Sequence, residues 1–80
     1  MDDHMLERIE SDINLCFMLA QIEEEREIEF NIKEDLNYKA ASVLISAYNK
    51  LVKMYYKPEY VESCSIERVD IAYKNYKDNN

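Results

Sequence analysis

Few residues of this chain could do chemistry. His4 is the only histidine, and Cys16 and Cys64 are the only thiols. A thiol becomes a useful nucleophile when a base or a positive charge lowers its pKa. Cys16 sits in the apolar run "INLCFMLAQI", where burial raises a thiol pKa, and Cys64 sits in "ESCSIE" among carboxylates that disfavour thiolate. Neither is placed to work as a Cys–His pair with His4. The terminal "DDH" offers two carboxylates and an imidazole, but metal ligands need a rigid second shell that a chain end does not supply. No catalytic residue, no metal site and no cofactor are expected, and the chain is read as a non-enzyme.

Two other stretches could recognise a ligand. In "KMYYKPEY", residues 53–60, tyrosines stand beside lysines. Such a pattern can stack on a base while an amine meets phosphate. Tyrosines at the end of an apolar stripe also cap a core or line a protein interface. The second stretch is "AQIEEEREIEFNIKED", residues 20–35, with seven acids against two bases. Residues Glu23 to Glu27 step round a helix by about 100° each, so they face every direction and stay wet. One reading is a solubilising corner. The other is a partner-binding patch of Glu23, Glu24, Glu25, Glu27, Glu29, Glu34 and Asp35 that docks on a basic protein surface. Direct nucleic-acid binding is not expected, because carboxylates repel phosphate. The same patch can compete with nucleic acid for a basic protein groove.

Composition narrows the scaffold. The 80 residues carry a formal charge of −7 and 48% hydrophobic residues, with no glycine and one proline. Lack of glycine argues against Gly-rich phosphate loops and against the tight turns of an all-β fold. No apolar run approaches the ~20 residues that span a bilayer. The acidic start lacks the basic region of a signal peptide, so a cytoplasmic protein with reduced cysteines is expected. Abundant Ile, Asn, Lys and Tyr without Trp suits an AT-rich coding genome, such as that of a low-GC bacterium or its phage.

The periodicity predicts an all-α fold: an antiparallel helical hairpin plus a shorter third helix, in a single domain over residues 1–80. The first helix begins near Asp2 or Asp3, with Leu6, Ile9, Ile13, Cys16 and Ala20 on one face. From Ile13 to Ile22 it is apolar nearly all round, as a helix surrounded by protein is. The second helix opens at Asn31, with Glu34 three residues on as a capping box, and stops near Lys57 before Pro58. It carries two apolar stripes: Leu36, Ala40, Val43, Leu44, Ala47, Leu51 and Met54, and beside it Tyr38, Ala41, Ile45, Tyr48, Val52 and Tyr55. The third helix covers 66–76 with Ser65 as its N-cap. The competing expectation is a two-stranded ribbon from 28–32 and 68–74, where apolar residues also alternate. Residues 77–80 are expected to fray.

This is more apolar surface than a lone 80-residue bundle can hide. A homodimer or higher oligomer is therefore expected, with Leu15, Leu19, Ile45, Tyr48, Val52 and Tyr55 at the interface. Three functions compete: an acidic protein-binding regulator or inhibitor, an oligomeric assembly subunit, and a nucleotide binder at a subunit interface. A helix-turn-helix reader fits poorly, since the lysines of the second helix are spread along its length.

Overall fold

A computed structural model describes residues 3–79. Four helices follow one another: α1 (Asp3–Arg26), α2 (Leu36–Tyr55), α3 (Pro58–Cys64) and α4 (Val69–Asp78), with one 3-10 turn, Ile32–Glu34, ahead of α2. The fold is all-α. The ribbon expected as an alternative does not form: residues 69–74 lie in α4, and there is no strand among the described residues. Tyr73 decides this, since only helical spacing puts it in the core beside Tyr76.

The hairpin of α1 and α2 is the frame. Leu6, Ile13, Phe17 and Ala20 of α1 are buried against Tyr38, Ala41, Ile45 and Val52 of α2. Ala20 and Ala41 are fully buried small residues, which lets the two backbones approach closely. The buried face of α1 is rotated from the expected stripe toward Phe17, and Ile9 and Cys16 are only half-buried. The cause is α4. Phe17 meets the rings of Tyr73 and Tyr76 at 5.3 and 5.6 Å, and Tyr38 meets Tyr73 edge-on at 5.8 Å. The third layer thus covers one side of the hairpin with aromatic contacts.

Glycine-free connections are built from extended residues. No described residue has a positive φ. Asn31, Asp35, Tyr56 and Lys57 all take extended conformations at the joints. α2 starts later than its sequence suggests, at Leu36 and not at Asn31. Asn31 caps only the 3-10 turn, accepting from the Lys33 N–H. Asp35 is the N-cap of α2, accepting from the Tyr38 N–H at 3.1 Å. Pro58 begins α3 at the position where a missing N–H costs nothing. Ser65, expected to start the last helix, instead ends α3, its hydroxyl donating to the Val61 carbonyl.

Two side-chain clamps hold the tail. The Asn49 amide both donates to the Ile66 carbonyl (2.9 Å) and accepts from the Ile66 N–H (2.8 Å), fixing the loop between α3 and α4. Lys77 pairs with Glu24 at 3.1 Å, so α4 stays helical through Lys77 and Asp78, into the stretch expected to fray. Asp2 and Asn80 lie outside the described residues.

Candidate functional site

The acidic stretch lies at the corner where α1 hands over to α2. Its residues do not share one role. Glu24 is half-buried and works inside the molecule: its carboxylate accepts from the Tyr73 hydroxyl (3.2 Å) and from Lys77 Nζ (3.1 Å). The Lys77 ammonium also lies 4.5 Å from the Tyr73 ring centre. Burial, then the Glu24 charge and hydrogen bond, push the Tyr73 hydroxyl well above the usual tyrosine pKa. Asp35 is likewise committed, to the cap of α2.

The remaining acids face outward. Glu25, Glu27 and Glu29 are exposed, Glu23 lies 4.0 Å from Arg26, and Glu34 lies 3.7 Å from Lys39. Five of the seven predicted partner-binding residues, Glu23, Glu27, Glu29, Glu34 and Asp35, line one shallow concavity of about 450 Å³ with Phe30 and Leu36. No lysine or arginine is in that lining. Among the described residues no trio of carboxylates, thiols or histidines converges as a metal site would need. Phe30 and Leu36 among carboxylates form a surface that complements a Lys or Arg side chain, whose stem is greasy and whose tip is charged.

Sequence reading missed the apolar part of this corner. Ile28 is fully exposed and flanked by Glu27 and Glu29, while Leu36 is 78% exposed. Alternation suggested that Ile28 belongs to a strand. The signal that could have found it is the "EIE" triplet, an apolar residue between acids that follows the end of the apolar stripe of α1 at Ile22.

The other candidates separate. His4 is exposed in the first turn of α1, with Glu7 3.6 Å away. Cys16 and Cys64 are both half-buried and not joined to each other, and burial, then Asp12, push the Cys16 thiol up and away from thiolate. The tyrosines scatter: Tyr38 and Tyr73 enter the core, Tyr48 donates to Glu10 at 3.4 Å, and Tyr55 and Tyr60 are exposed. A wider groove of about 740 Å³ runs between α1 and α4, lined by Ile13, Phe17, Ala72 and Tyr76 among others. It is a packing seam, left because the short α4 covers only part of the longer α1.

The expected oligomer residues also divide. Ile45 (5% exposed) and Val52 (0%) are sealed inside the chain and cannot meet a partner. Leu15, Leu19 and Tyr55 are on the surface, and Tyr48 is half-buried. Of the two stripes of α2, the one expected at the interface supplies the core: Tyr38, Ala41 and Ile45 pack with α1 and with Tyr73 of α4, and Val52 is buried too. Of the other stripe, Leu36, Ala40, Val43, Ala47 and Met54 face out, while Leu44 and Leu51 are half-buried. No helix is long and apolar enough to cross a membrane among the described residues. Comparison with known proteins finds no match: no family model, no curated protein and no solved structure is significantly similar to this chain.

Proposed function

We propose that this is a non-enzymatic, acidic protein-binding regulator that occupies a basic surface of its target, with the α1–α2 corner as the contact. The reading places it in the cytoplasm, of the host cell if the chain is phage-encoded. The observation that carries it is the fully exposed Ile28 between Glu27 and Glu29, beside a concavity walled by carboxylates. A purely solubilising corner has no use for an isoleucine held in water. A docking corner does: the acids steer and orient a basic partner, and the apolar tip supplies affinity once buried. Burying one such side chain contributes about 1.5–3 kcal/mol.

The test compares three immobilised baits in a lysate of the native host: the natural chain, the E25K/E27K/E29K variant and the Ile28→Ser variant. These positions are exposed and make no clamp, so folding is kept. The expected result is that the natural chain retains proteins with basic, nucleic-acid-binding surfaces, that moderate salt releases them, and that both variants lose them. Adding the natural chain to such a protein should also displace its nucleic acid. Equal capture by all three baits rejects the reading.

A further inference from the structure

The outward stripe of α2 has no covering within the chain. Ala40, Val43, Ala47 and Met54 recur at helical spacing on the side of α2 turned away from α4, with Lys50 in the same row between Ala47 and Met54. Val43 and Met54 are 68% and 72% exposed, and Leu19 of α1 is surface-exposed too. In an antiparallel hairpin, helical geometry puts Leu19 on the same side, across from Ala40. Ala40 and Ala47, seven residues apart, leave shallow notches between larger side chains where a second helix could seat. We propose that this face of the hairpin is a homodimer interface, covered by the same face of a second copy around a twofold axis.

Area points to a partner of this size. The chain exposes 6001 Å². A folded monomer of 9.6 kDa is expected to expose about 5,100 Å². The surplus of about 900 Å² goes with an elongated shape, 45 × 22 × 20 Å, and is of the order of the ~800 Å² that each partner gives to a standard interface. The radius of gyration, 13.5 Å, likewise exceeds the roughly 12 Å of a compact chain of this length.

Charge points to a second copy in particular. α1 carries seven acids, of which Glu24 is turned to α4 and Glu10 to Tyr48, against two arginines, whereas α2 carries three lysines and no acid. Both helices border the same apolar face. A foreign partner would have to present both signs in register. A second copy does so by symmetry, laying the acidic α1 over the lysine-bearing α2 of its partner twice.

The test is the mass of the full chain in solution at tens of micromolar, by light scattering and sedimentation. The natural chain should run as a dimer. Val43→Asp and Ala47→Glu should run as monomers with unchanged helical circular dichroism, because both sites are exposed in the single chain. Two unpaired carboxylates in a twofold interface should weaken association by about a hundredfold or more. Ile71→Asp, on the exposed side of α4, should leave the dimer intact. The E25K/E27K/E29K variant should also stay dimeric, which separates failure here from failure of the corner as a target contact. A natural chain that runs as a monomer overturns the proposal, even if Val43 proves to bind another protein. A dimer that survives Val43→Asp overturns it as well.

Discussion

Glu24 shows how one carboxylate can leave a charged patch and become architecture. Its two oxygens take the Lys77 ammonium and the Tyr73 hydroxyl, tying the last helix to the end of the first across 49 and 53 residues of chain. Removing the hydroxyl with Tyr73→Phe should cost about 1.5–3 kcal/mol in urea unfolding, the usual range for a bond to a charged group. The variant also has a pH signature. The folded Tyr73 pKa is raised above its unfolded value near 10. The protonated tyrosine is favoured in the fold, so this contribution is full below about pH 10 and is lost as pH climbs toward the folded pKa. Tyr73→Phe should therefore narrow the stability gap to the natural chain as pH rises above 10. A gap constant across that window would mean the hydroxyl is not held as described. Asn49 is the matching case without charge. Its side chain stands in for a backbone partner on both sides of Ile66. Asn49→Ala should cost about 2 kcal/mol through two lost hydrogen bonds.

At the scale of elements, the caps decide where α2 begins. If Asp35 is its N-cap, Asp35→Ala should lower stability by about 1 kcal/mol, while Asn31→Ala, which frees only a 3-10 turn, should cost a few tenths. Reversed magnitudes would restore the capping box at Asn31 and Glu34. This is also where sequence reading stopped being sufficient. The helical class, the hairpin and the end of α2 before Pro58 were legible, because 3.6-residue periodicity and proline sterics are local. The choice between two adjacent stripes on α2 was not. Tyr38, Ile45 and Val52 differ little in apolar character from Leu36, Val43 and Met54, and the packing of α1 and α4 on α2 selects the first set. The site was half legible for the same reason. Seven acids could be picked out by composition, yet that Glu24 and Asp35 are spent on Tyr73, Lys77 and the cap of α2 depends on contacts distant in sequence. Ser65 misled because a hydroxyl that can start a helix can equally end one.

For the whole molecule, salt should act with opposite signs on stability and on target binding. The chain carries −7, and Glu23, Glu24 and Glu25 crowd the C-terminal end of α1, where the helix dipole is itself negative. Glu23 and Glu27 add a like-charge pair one turn apart. Net self-repulsion disfavours the compact state, and a dimer, with twice the charge, feels it in the same direction. Against this stand a few solvent-screened ion pairs, such as Glu34–Lys39, each worth about 0–1 kcal/mol. Repulsion wins the balance, so raising sodium chloride should raise the melting temperature by several degrees, at about 4–8 °C per kcal/mol for a domain of this length. If the apolar face pairs with a copy, the melting temperature should also rise with protein concentration. Binding of a basic target through the corner must go the other way, because the same ions screen the attraction that steers it. A melting temperature that falls with salt would mean that ion pairs, and not repulsion, dominate the fold. The acidic corner would then be a stabilising feature in its own right, and its charge would no longer need a partner to explain it.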